Sequence, residues 1–344
     1  MTEEGVNDMR SIDRRVFLGG ATAATLIASP YVSRAVAADF TFKAATNQVA
    51  DHPNNVRLAE AFERIRKESN GRLDIKLFPN SQLGGESDLL GQVRSGAVQI
   101  FTIGGLVISS VVPVAAINGT AFAFKDYEQV WRAMDGKLGA YVRTNLAKAG
   151  LYTPARMWDL GFRQVTTSTK PINTVDDLTG LKIRVPGAAA YINTLKALGA
   201  SPVTMQYPEL YSALQTKVVD GQENPLALID TSKFYEVQKY CSLTNHMWDG
   251  FWVLINQRAW GRLPSDLQEI AEKNLNQSGL DQRNDLMKLD TDLRTALKSK
   301  MTMNTTEPTS FRAKLVEAGY YADVRKKYGE EAWDLLTEYS GPLG

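Results

Sequence analysis

The sequence predicts an α/β protein of two lobes, and three observations carry the prediction. Strand-like and helix-like stretches alternate from Phe40 onward, the pattern of α/β domains. A length of 344 residues suits two domains of ordinary size. No Gly/Ser-rich or Pro-rich tract marks a free tether, so several ordered crossings should join the halves in a hinge-like way.

The elements follow in order. Phe40 to Ala45 alternates like a strand. Pro53 opens an amphipathic helix with Val56, Ala59, Phe62 and Ile65 at helical spacing, and Gly71 ends it. Leu73, Ile75 and Leu77 alternate as the next strand. A turn at Pro79 leads to Gly84-Gly85, and Glu86 begins a helix through Leu89, Leu90 and Val93 to Gly96. Val98 to Ile103 is a strand. After a less regular middle, Leu181 to Val185 reads as a strand ended by Pro186-Gly187. Ala188 to Leu198 reads as a helix, as does Pro208 to Val218. Tyr240 to Ile255 is strand-rich and aromatic. Pro264 to about Lys300 forms one long polar helix, with shorter helices after Thr309.

Residues 1–37 read as an export signal rather than structure. Arg14 and Arg15 precede Val16-Phe17-Leu18 and a weakly apolar run to Ile27, and Ala35-Val36-Ala37 is a small-residue cleavage site. The apolar run is too short to span a bilayer, which takes roughly 20 residues. Paired arginines before Phe-Leu are twin-arginine-like; the general secretory route is the alternative. Either route puts the mature chain in the periplasm. With 39 basic and 38 acidic residues, no charge excess points to nucleic acid. The single cysteine, Cys241, allows no internal disulfide and reads as core.

Two arginines stand out. Arg184 lies between Ile183 and Val185 near the end of a strand, where open α/β sheets place their ligands. Arg163 follows Gly161, which lets the backbone bend just before the charge. A guanidinium fork matches a carboxylate with two parallel hydrogen bonds; a salt bridge within the protein would use the same fork. Asp220 to Pro225 reads as a polar turn in which Asn224 offers both donors and an acceptor. Among the aromatic residues Tyr207, Tyr211, Trp248, Phe251 and Trp252, the break at Asp249-Gly250 would let Trp248 face a ligand. His52, ahead of the helix opened by Pro53, sits where backbone N–H groups favour anions. His52 and His246 are the only histidines, each alone in its segment. No metal-binding spacing, phosphate loop or nucleophile elbow occurs, so no metal, cofactor or catalytic group is expected.

Four motifs then appear in order: Pro79-Asn-Ser-Gln-Leu-Gly84, Gly161-Phe-Arg-Gln164, Asp177-Leu-Thr-Gly-Leu-Lys-Ile-Arg-Val-Pro-Gly187, and Ala213-Leu-Gln through Val219-Asp-Gly-Gln-Glu-Asn-Pro225. On these the chain resembles the DctP-like solute-binding proteins of tripartite ATP-independent periplasmic (TRAP) transporters, over nearly all of residues 38–340. The resemblance implies a periplasmic-binding-protein-like fold with a central ligand cleft and a long helix bracing both lobes. It places one lobe at residues 38–161 plus 250–289 and the other at 162–249 plus 290–344. It makes Arg184 the grip on a ligand carboxylate, with Arg163, Asn224 and Tyr207 as further contacts. Asn47, Gln48, Glu86 and Ile103-Gly104-Gly105 would face the ligand from the opposite lobe. The partners it implies are the small and large membrane permease subunits, with no ATP hydrolysis by this chain.

Gly104, Gly105, Val107 and Leu160 stand where sialic-acid and sugar-acid binders carry polar contacts. With Trp158 and Trp248 near the arginines in sequence, an acid with an apolar or aromatic body is expected, a sugar acid being the competing ligand. A periplasmic ligand sensor and an exported enzyme acting on an organic acid are the alternative functions.

Overall fold

The computed structural model describes residues 38–344; the expected export signal at residues 1–37 lies outside them. Twelve strands run in chain order: β1 (Phe40–Ala45), β2 (Leu73–Phe78), β3 (Ile100–Gly104), β4 (Leu151–Tyr152), β5 (Trp158–Phe162), β6 (Gln164–Thr167), β7 (Lys182–Val185), β8 (Ser201–Thr204), β9 (Gly221–Asn224), β10 (Tyr240–Leu243), β11 (Trp248–Asn256) and β12 (Thr302–Thr305). They form two six-stranded sheets, the cores of two lobes. The first runs β2-β1-β3-β11-β4, with β5 also paired to β11; the second runs β12-β10-β6-β9-β7-β8.

In the first sheet β1, β2 and β3 run parallel and β11 runs antiparallel to β3, β4 and β5; helices cover this sheet, and β3, β5 and β11 are buried along their whole length. In the first lobe, helix Pro53–Glu68 packs Leu58, Ala61, Phe62 and Ile65 against Phe42, Leu73 and Ile75. Full burial of such a side chain is worth about 1.5–3 kcal/mol. The buried face of this helix is rotated from the expected one. Val56 is 42% exposed, whereas Asn54 and Asn55 are buried. The reason is polar: Asn55 Nδ2 donates to the carbonyls of Gln48 and Val49, both at 2.8 Å, and ties the helix to the strand end before it.

The long helix runs Ser265–Ala296 and braces both lobes. On the first-lobe side, Arg64 donates to Asn274 (2.9 Å) and Ser278 (2.5 Å). The Gln282 amide bridges the backbone N–H and carbonyl of Asp159. Gly279 lets the ring of Trp158 lie against the helix: a Cβ there would come within 2.7 Å of Trp158 Nε1. Further along, Leu286 and Leu293 join Leu214, Phe234 and Cys241 in a separate core of the second lobe.

The chain passes between the sheets at Arg163, again between β10 and β11, and a third time between the long helix and β12. The first two crossings are joined by Arg163 N–H donating to Met247 O at 2.8 Å. β11 begins at Trp248, so Trp248 and Asp249 stand in the first sheet, two residues ahead of the expected boundary. The C-terminal helix Glu330–Ser340 packs on helices Tyr127–Met134 and Lys137–Lys148 of the first lobe, although residues 290–344 were expected with the second. No helix among the described residues is long and apolar enough to cross a membrane.

Candidate functional site

Between the lobes lies a cavity with about 40 Å³ of space open to the centre of a water molecule. Arg163, Arg184, Pro186, Tyr191, Tyr207, Asn224 and Leu228 line it from the second lobe. Asn47, Gln48, Glu86, Ile103, Gly104, Val107, Leu160 and Phe251 line it from the first.

Strand alternation builds the charged wall. Ile183 and Val185 face the second-lobe core, which turns Arg184 the other way, to the cleft. Arg184 is 1% exposed. Its Nε (3.0 Å) and Nη2 (2.7 Å) donate to Met205 O, and Nη2 also donates to Glu86 Oε1 across the cleft at 3.1 Å. Glu86 opens helix Glu86–Ser95, and its carboxylate also accepts from Tyr207 N–H at 2.9 and 3.1 Å. These contacts, with Tyr191 Oη donating to Asp249 at 3.1 Å, hold the lobes closed.

Arg163 follows Gly161, whose φ of +118° lies in the region that favours glycine; a Cβ there would come within 3.0 Å of Pro225. Nε and Nη2 of Arg163 form a bidentate pair with Glu223, and Nη2 also reaches Glu223 O and Asn224 Oδ1. Burial works against both charges, but each offsets it for the other: Glu223 is held below the usual carboxylate range and Arg163 is raised. His246 Nε2 adds to this, 3.4 Å from Glu223. Each arginine thus spends Nε and Nη2 inside the protein, while Nη1 makes no hydrogen bond among the described residues.

Asn224 meets Arg163 as well as the cavity. The segment around it is the buried strand β9, not the expected turn, because β6 and β7 flank it on both sides. Tyr207 lines the cavity from the second lobe. The Tyr207 hydroxyl pairs with Ser232 Oγ at 2.6 Å, and burial pushes its pKa up to about 12. Gln48 and Glu86 line the cavity from the first lobe.

Two expected residues stand elsewhere. His52 is fully buried and caps its own helix, Nδ1 accepting from Asn54 N–H at 3.1 Å. Its ring edge meets Phe251, and burial lowers its pKa to about 3, so it presents no cation to the cleft. Trp248 packs among Phe124 and Trp131, with its Nε1 donating to Asp159 at 3.0 Å. Trp158 is equally buried. The apolar wall comes instead from Ile103, Val107, Leu160, Leu228 and Phe251.

Tyr191, Glu223 and Asp249 were not anticipated. Asp249 accepts from Asn118 Nδ2, Gly105 N–H and Tyr191, and burial, partly offset by Arg163, raises its pKa to about 6. Gly104 leaves room for it, since a Cβ there would lie 2.3 Å from Asp249 Oδ2. A carboxylate inside an otherwise apolar strand was the available signal.

Residues 45–326 match the family model for bacterial extracellular solute-binding protein, family 7, DctP. An uncharacterized protein of Haemophilus influenzae is 36% identical over 219 residues, 64% of this chain and 66% of that protein. The chain thus spans about two thirds of that relative's length. The C4-dicarboxylate-binding periplasmic protein DctP of Rhodobacter capsulatus is 32% identical over 78% of this chain and 80% of its own length. A sugar acid binding protein of Advenella mimigardefordensis, solved with galactonate, superposes with a TM-score of 0.83 at 28% identity, covering 88% of this chain and 98% of its own. The chain belongs to family 7 of the bacterial extracellular solute-binding proteins, the DctP-like binding proteins of TRAP transporters.

Proposed function

We propose that this protein captures a small organic carboxylate in the cavity between its lobes and delivers it, in the periplasm, to the small and large subunits of a TRAP permease, without turning it over. One observation carries the reading: two guanidinium groups, each buried and braced by protein acceptors, line the same cavity and keep Nη1 unshared. A ligand carboxylate is the group that two such donors suit.

The binding set in this reading is Arg184 and Arg163 on the carboxylate, with Asn224, Tyr207, Gln48 and Glu86 around it. The cleft forms when the lobes close, so contacts from both lobes favour the closed state once the acid is held; only that differential affinity shifts the equilibrium. The apolar wall suits a carbon chain or a ring face. The test is a thermal-shift screen of the mature chain against organic acids and uncharged solutes such as sugars and polyols, because a ligand of the folded state raises its stability by mass action. Calorimetry on each hit follows, with the recovered acid checked for conversion. An acid that binds and is returned unchanged supports the reading. A screen in which only uncharged solutes bind refutes it.

A further inference from the structure

The hydrogen-bonding capacity left over at the cavity is sorted by lobe. On the second lobe it is donors, the Nη1 groups of Arg163 and Arg184. On the first lobe it is chiefly acceptors, Gln48 Nε2, which makes no hydrogen bond among the described residues, being the exception. Asn47 is 3% exposed, and its Nδ2 donates to Ser81 Oγ (2.9 Å) and Gly84 O (3.4 Å). A carbonyl only accepts, so that contact fixes which way the amide lies, and it leaves Asn47 Oδ1 buried without a partner. Gln48 Oε1 is also buried without one. The third group is the Glu86 carboxylate, held by Arg184 Nη2 and Tyr207 N–H.

Charge points the same way. Glu223 is paired with Arg163, and Glu86 with Arg184. One ligand carboxylate therefore already gives the group a net negative charge, and Nη1 of the two arginines takes it up. A second carboxylate would find no further cation and would meet Glu86 and Asn47 Oδ1. A hydroxyl in its place can donate to either.

We infer that Glu86, with Asn47, makes the cleft selective for monocarboxylates bearing hydroxyl groups and turns dicarboxylates away. This rests on the carboxylate reading above and assigns Glu86 the role of a specificity-determining residue.

The test is calorimetry on the mature protein with three pairs of acids that differ only in a terminal hydroxymethyl oxidised to carboxylate: 4-hydroxybutyrate and succinate, erythronate and meso-tartrate, galactonate and galactarate. In every pair that shows binding, the monoacid should bind at least tenfold tighter. Glu86→Gln, checked for folding by circular dichroism, should shrink that ratio at least fivefold, whereas Glu86→Asp, which keeps the charge, should preserve it. A wild-type protein that takes the diacid equally well, or a ratio that Glu86→Gln leaves unchanged, overturns the inference and leaves carboxylate capture standing. If none of the six acids binds, the selectivity falls; if in addition no other acid raises the melting temperature, carboxylate capture falls with it.

Discussion

Replacing Arg184 by alanine deletes the side chain on which the cleft depends. Three hydrogen bonds go: those from Nε and Nη2 to Met205 O, and the 3.1 Å contact with Glu86. Glu86, 5% exposed, keeps only the Tyr207 N–H, and an incoming carboxylate loses one of its two Nη1 donors. Truncating one partner of a buried, hydrogen-bonded charge pair costs about 2–5 kcal/mol. At about 1.4 kcal/mol per decade, affinity should fall roughly thirtyfold to a few thousandfold. Arg184→Lys keeps the charge but loses the planar fork that reaches Met205 O, Glu86 and a ligand together, so it should also bind poorly. Titration calorimetry of both variants with an acid found in the thermal-shift screen measures the effect. Affinities within threefold of wild type in both would refute the anchor.

Other perturbations test the frame around the site. Burial raises Asp159 from its ordinary 3.8 to about 7, with hydrogen bonds from Trp248 and Tyr127 offsetting part of the rise. The folded chain therefore holds a proton that the unfolded chain has lost. This stabilisation is complete below about pH 3.8 and is lost as pH rises through 7. Asp159→Asn can still accept from Trp248 and does not titrate. Its stability relative to wild type, from urea unfolding, should rise by about 2–4 kcal/mol between pH 4 and pH 7.5, from about 1.4 kcal/mol per pH unit; a constant difference would contradict the assignment. Gly279→Ala should cost about 1–3 kcal/mol by driving a methyl group into Trp158, read as a lower melting temperature; an unchanged value would show that the contact gives way freely.

Much of the frame was legible in the residues because local patterns carried it. Alternation marked β2 and β7, and Gly71, Gly96 and Gly199, all at positive φ, ended the expected helices. What escaped was polar and distant in sequence. β9 looked like a turn because Gln222, Glu223 and Asn224 are hydrophilic, yet all three are buried with partners, and Arg163 lies 60 residues from Glu223. Helix Pro53–Glu68 turned its asparagines inward because backbone carbonyls at the end of β1 needed donors. His52 looked like an anion site because a helix N-terminus favours negative charge; its own ring already satisfies the first free N–H there. The arginines were readable from their neighbours, and their carboxylate partners were not. Each pair depends on how β9 or helix Glu86–Ser95 is placed by the fold.

In the proposed capture the unshared nitrogens of two arginines grip the ligand's acid group, and a crystal structure of the mature protein with its tightest acid bound is the decisive test. Carboxylate oxygens should lie within hydrogen-bonding distance, about 2.7–3.2 Å, of Nη1 of both Arg184 and Arg163, with the rest of the molecule against Asn47 and Phe251. A bound solute with no acid group, or one whose carboxylate lies away from both arginines, would contradict it.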